Sequence, residues 1–179
     1  MVLPVPRDDV VTVSTAAGML ALWCASAFAN VNGCDAWEER VNERLSDAIQ
    51  SGELVPIGIQ GDGAFGVRLA FFPDSATDRE SSYTVVTSEP YLLVADGGPI
   101  MLSGVEVVGD QQSSQMTLSL PEGRYAVRAT ILAWDEEPGS RSPDGRPGPD
   151  ALADFLVSIV PSDGTETFRT SETTFDPPA

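Results

Sequence analysis

The densest run of chemically capable side chains lies between Asp135 and Asp154, where Asp135, Glu136, Glu137, Asp144, Asp150 and Asp154 crowd into one polar stretch. Three kinds of chemistry are open to such a set. Calcium asks only for oxygen ligands, but the spacing here matches no EF-hand loop. A glycosidase-like acid pair needs two carboxyls held about 5–10 Å apart across a cleft, which no linear pattern can reveal. A negative patch that occupies the basic cleft of a partner needs no motif at all, only complementary fields. The polar face of a helix expected earlier in the chain, with Glu38, Glu39 and Glu43, would extend that patch.

The rest of the composition narrows the choice. Histidine is absent, which removes the commonest general base, the usual triad member and the commonest metal ligand. Ser14, Ser26 and Ser103 stand in no nucleophile-elbow context. The two cysteines, Cys24 and Cys34, are too few for a zinc site; a disulfide between them is geometrically open, but packed, reduced thiols are the expectation. Neither a metal nor a cofactor is expected, and the chain reads as a binding protein rather than an enzyme. It carries 27 carboxylates against 10 cations, every one of them arginine, for a formal charge of −17. A surface of that sign repels a phosphate backbone and steers towards a basic protein, so the expected partner is a basic protein and not nucleic acid. The same acidity would also serve solubility alone. Trp23, Trp37 and Trp134 are readable as interface anchors, although Trp37 and Trp134 sit where a core residue is expected.

These residues must be positioned by the elements around them. Val10 to Trp23 is β-branched and then small and apolar, which suggests one or two strands broken near Ala16 to Gly18. Asp35 stands as an N-cap ahead of a helix over 36–50, in which Trp37, Val41, Leu45, Ala48 and Ile49 recur at helical spacing and Gly52 supplies the stop. Strands are then expected over 54–60, 64–72, 83–87, 91–95, 100–108, 115–120, 124–134 and 152–160. Gly61-Asp62-Gly63 suggests a hairpin between the first two of these. Leu120-Pro121-Glu122-Gly123 reads as a tight turn. The fold class that follows is all-β, a mainly antiparallel β-sandwich with one amphipathic helix in the N-terminal third. Residues 1–161 form one domain in this reading, with 136–149 as a long mobile loop and 162–179 as a tail that is either disordered or pinned by Phe168 and Phe175.

The apolar stretch Thr15 to Ala29 imitates an export signal. Arg7 beside Asp8 and Asp9, with Pro4 and Pro6, gives it the wrong flank, and it is too short to span a membrane, so it is expected to be structural in a cytoplasmic protein.

The order of these segments resembles the competence protein J family, inhibitors of the bacterial DNA-entry nuclease. The matching stretches are Ser46-Asp-Ala-Ile-Gln-Ser-Gly-Glu-Leu-Val, the Gly61-Asp-Gly-Ala turn into a strand, Leu118-Ser-Leu-Pro-Glu-Gly-Arg-Tyr-Ala-Val, and a last strand at Asp154-Phe-Leu-Val. The likeness spans roughly residues 10 to 161, with a longer loop after Trp134 and an additional tail. It implies a β-sandwich that inhibits a nuclease by direct binding; bacterial immunity proteins against secreted toxins would give a similar picture.

The expectation is an acidic inhibitor that occludes the basic cleft of a nuclease or toxin, through Asp135, Glu136, Glu137, Asp144, Asp150 and Asp154, with Glu38, Glu39 and Glu43 second. The competing class is a small-molecule or carbohydrate-binding β-sandwich module, which a groove lined by exposed aromatics would favour.

Overall fold

A computed structural model describes residues 10–176, so the flank containing Pro4, Pro6, Arg7, Asp8 and Asp9 lies outside the described residues. The opening apolar segment forms β1 (Val10–Thr15) and β2 (Met19–Cys24), broken at the anticipated turn by Gly18, whose φ of 70° is one that glycine adopts without strain. A short 3-10 turn, Ala25–Phe28, follows.

The single helix expected over 36–50 is instead divided. A short α1 (Cys34–Trp37) runs into a π-type segment, Glu38–Asn42, and only after Glu43 and Arg44 does α2 (Leu45–Ser51) resume regular winding. Val41, Leu45, Ala48 and Ile49 are buried all the same, because one wide turn shifts phase without turning the apolar positions away from the core. Gly52 closes α2 in the left-handed conformation, and a Cβ there would lie 2.7 Å from Val94 Cγ2, so the stop is also a close approach.

The remaining strands are β3 (Leu54–Gly58), β4 (Gly63–Phe71), β5 (Thr84–Thr87), β6 (Tyr91–Ala95), β7 (Pro99–Gly104), β8 (Met116–Ser119), β9 (Gly123–Leu132) and β10 (Phe155–Pro161), with a short α3 (Asp78–Ser82) before β5. Among the described residues they make two sheets. The larger runs β1-β4-β10-β9, with β5 and β6 both paired along the outer side of β9; the smaller runs β3-β2-β7-β8. All pairings are antiparallel except that of β10 with β4.

The Gly61-Asp62-Gly63 hairpin does not form. β3 pairs with β2 and β4 pairs with β1 and β10, so this turn carries the chain from one sheet to the other. Its start is fixed by Ile59 and Gln60, whose N–H groups both donate to Gly18 O, at 2.9 and 3.1 Å. Pro56 lies in β3, at the edge of the smaller sheet, where a missing N–H costs least. The Leu120-Pro121-Glu122-Gly123 turn likewise changes sheets, and the Tyr125 hydroxyl locks it by donating to Pro121 O at 2.8 Å.

Residues from both sheets meet in one apolar cluster, to which β2 gives Leu20, Leu22 and Trp23, β7 gives Ile100 and Leu102, β9 gives Val127, and β10 gives Phe155, Val157 and Ile159. Trp23 is fully buried and its indole N–H donates to Ser103 Oγ at 2.9 Å. A second, small cluster of Ala70, Leu132 and Leu156, packed by Leu152, lies on the opposite face of the larger sheet, as strand alternation requires.

Two segments outside the strands are tied down by specific contacts, the tail in the pinned form of its two expected alternatives. Residues 136–149 contain a bridge between Arg141 and Pro147, and Gly148 N donates to Ser140 O at 2.7 Å. The tail beyond β10 runs along the seam between the sheets, with Thr174 buried and Phe175 packed on the main core.

Candidate functional site

The acidic stretch leaves β9 at Leu132 and returns into β10 at Phe155, and its carboxylates have different surroundings. Asp154 is held from two sides. Its Oδ1 accepts from the Trp134 indole N–H at 2.9 Å and its Oδ2 from the Gly66 N–H at 2.7 Å, so it fastens the loop to β4. Glu137 is gripped by Arg79, both contacts being 2.6 Å, and Arg79 also donates to Asp150 O at 2.7 Å. That Arg79 hydrogen bond holds the Glu137 carboxyl below the usual range. Asp135 pairs with Arg141 at 2.7 Å, and Arg141 lies over the Trp134 ring. Asp144 is 3.7 Å from Arg146, with both side chains largely in water. Glu136 and Asp150 are exposed.

The helix acids hang from another part of the molecule. Glu38, Glu39 and Glu43 are exposed on the segment anchored by the Trp37 indole, which donates to Val105 O at 3.1 Å. Arg40 completes the anchor, reaching Ala27 O and Glu53, 2.7 Å away, with its guanidinium over the Phe28 ring. The two groups of acids are thus fastened to different elements.

Among the described residues there is no group of three or more Cys, Asp or Glu side chains placed to hold a metal ion. The most buried carboxylate is Glu80, which receives Arg68 Nε at 2.5 Å and Nη2 at 2.7 Å, while Asp74 takes Nη1 at 3.1 Å. Burial pushes the Glu80 carboxyl up, but hydrogen bonds from Arg68 and the Thr77 backbone outweigh it and hold the group below its ordinary value. These bonds tie α3 to β4. The sequence signal of α3 was the Thr77-Asp-Arg-Glu80 capping box, in which Thr77 and Glu80 cap each other's backbone.

The cysteines are unbridged. Cys24 is buried and donates to Val94 O at 3.0 Å, whereas Cys34 is exposed at the start of α1. Burial, with smaller contributions from Asp96 and Glu53, pushes the Cys24 thiol up to about 12.

A concave site lies elsewhere. A groove of about 1300 Å³ opens where the seam between the sheets reaches β5. Ile131, Phe155 and Phe175 line it together with Val85 and Val86 of β5, and Asp62, Glu172 and Asp176 add acids. Sequence reasoning missed it because its walls come from six separated segments; the flagged Phe175 was the one local sign.

No family model matches the sequence, and no curated protein matches it. Solved structures do. The chain is similar to the protein of crocagin biosynthetic gene J, at 20% identity and a TM-score of 0.59, over 86% of this chain and 97% of that one. It is also similar to ComJ of Bacillus subtilis, the inhibitor of the DNA-degrading activity of NucA, at 10% identity and a TM-score of 0.51, over 89% of this chain and all of that one. This chain shares their two-sheet fold, and the resemblance drawn from the order of its segments meets its structural counterpart in ComJ.

Proposed function

We propose that this protein is an inhibitor of a nuclease or toxin, a β-sandwich that works in the bacterial cytoplasm by covering the basic cleft of its partner. The observation that carries the reading is the fold shared with ComJ, joined to a formal charge of −17. A nuclease cleft is basic because it holds a phosphate backbone, so a strongly acidic protein is drawn to it and nucleic acid is kept away. Residues 1–161 form the body in this reading. The tail 162–176 belongs with it, since Thr174 bonds to both Pro56 and Gly58 of β3.

The proposed partner-facing acids are Asp135, Glu136, Glu137, Asp144, Asp150 and Asp154, with Glu38, Glu39 and Glu43 contributing. Exposed members such as Glu136, Asp150 and Glu39 supply the field that speeds encounter. Asp154 and Glu137 act mainly by holding the loop that carries the others.

The test is capture by the tagged protein from native lysate at low and then raised salt, followed by nuclease assays on what elutes. A salt-released basic nuclease whose activity falls on adding the purified chain back supports the reading. Retention of no basic protein at low salt sinks it.

A further inference from the structure

We infer that the groove beside β5 is a docking site for an extended, basic segment of a partner protein. This deepens the inhibitor reading and rests on it for the partner's charge: the outlying acids draw the partner in, and the groove holds it.

The seam between the two sheets has two stretches that differ in how they are closed. Along β6 it is sealed. Val94 N donates to Gly52 O at 2.8 Å, Arg169 N to Pro90 O at 2.8 Å, and the Tyr91 hydroxyl to Ser171 O and Thr173 O at 2.8 and 3.1 Å. Along β5 it stays open. β5 ends the larger sheet on that side, and among the described residues no backbone hydrogen bond reaches its outward edge. The ladder between β5 and β9 shifts register between Thr84 and Val86, which turns Val85 out of it; the side chain is 62% exposed at the groove's rim. A bulge at a sheet edge re-aims its side chain, and here it turns Val85 towards the groove.

The occupant's chemistry follows from the walls. Val85, Val86, Ile131, Phe155 and Phe175 give apolar surface for an aliphatic side chain. Asp62, Glu172 and Asp176 line the same groove; Asp176 is paired with Arg169 at 2.7 Å, which leaves Asp62 and Glu172 to supply the groove's negative charge. A segment alternating aliphatic and arginine or lysine residues satisfies both, because in an extended chain successive side chains point opposite ways. Four residues of β5 span about 13 Å, enough to guide such a segment of four or five residues.

The probe is a fluorescein-labelled heptapeptide alternating arginine with valine, titrated with the full chain at low salt and read by anisotropy. Parallel titrations use peptides alternating arginine with serine and glutamate with valine. The Val85→Arg variant should weaken binding at least about tenfold, whereas Val160→Arg, the same charge change at an exposed site on the opposite face of the sheet, should alter it less than about twofold. Hydrogen exchange should show new protection in 84–87. Near-ultraviolet circular dichroism establishes that both variants fold.

Equal binding of the arginine–serine peptide, equal loss in the two variants, or protection confined to 135–154 overturns the groove in favour of general charge attraction. A dimer of this chain that Val85→Arg dissolves overturns it in favour of a second copy. If the peptide fails while a captured nuclease is still inhibited, the groove is wrong and the inhibitor reading stands. If the peptide behaves as expected and no nuclease is captured, the groove stands alone.

Discussion

Phe175 stacks on Phe155, their ring centroids 6.4 Å apart and their planes 20° from parallel, so a residue of the tail completes a wall whose other half belongs to the last strand. Beside it, Thr174 Oγ1 accepts from Gly58 N at 2.8 Å and donates to Pro56 O at 3.0 Å. The tail therefore serves as the edge partner that β3 otherwise lacks. Replacing Thr174 with valine keeps the shape and strands the Gly58 N–H, and the expected loss is about 1–3 kcal/mol of folding stability in urea unfolding. A Thr174→Val midpoint equal to that of the parent chain would mean the tail is not part of the folded unit.

The Arg68–Glu80 pair predicts an asymmetry between single and double substitutions. Glu80→Gln takes away the carboxylate charge that faces the buried Arg68 guanidinium, and should cost about 3–5 kcal/mol. Arg68→Met combined with Glu80→Leu removes both charges and should cost far less. Denaturant midpoints of the variants measure the difference, and the pair's contribution is wrongly assigned if the double variant is the weaker.

Acid should act through the same carboxyl. Glu80 has a folded-state value below its ordinary 4.5, so its contribution is complete above about pH 4.5 and is lost as pH falls through the depressed value. The parent chain should lose stability on that limb more steeply than Glu80→Gln. Parallel slopes in urea midpoints across the acid range would assign the loss to other carboxyls.

The thiols should react unequally. At mildly alkaline pH the exposed Cys34 should titrate promptly with a disulfide reagent, while Cys24, buried and pushed up to about 12, should react only on unfolding. Two fast equivalents in the native protein would contradict the burial of Cys24.

Charge reversal tests the outlying acids apart from the groove. Glu136→Arg, Asp150→Arg and Glu39→Arg together should slow association with a nuclease captured as in the salt-elution test and flatten its salt dependence, with a smaller effect on dissociation. Stopped-flow rates at several salt concentrations report both, and an unchanged salt slope would remove these acids from the encounter.

Much of the local architecture was legible in the residues. The alternation of Tyr125, Val127, Ala129 and Ile131 against Ala126, Arg128 and Thr130 places β9 and its inward face, because a strand's period of two is a property of the backbone itself. The apolar positions Val41, Leu45, Ala48 and Ile49 were identifiable for the same kind of reason, while the π-type turn among them was not, since one wide turn leaves the spacing of the apolar positions nearly unchanged.

Charge, the absence of histidine and the order of strands and turns were settled by the sequence alone, since each is local or additive along the chain. The sheet to which a strand belongs, the pairing of Glu137 with Arg79, and a groove with Val85 on one wall and Phe175 on another were decided only by the tertiary structure. The Gly61-Asp62-Gly63 turn has the chemistry of a hairpin and still joins two sheets, because long-range pairing of β4 with β1 and β10 outweighs what three residues prefer by themselves.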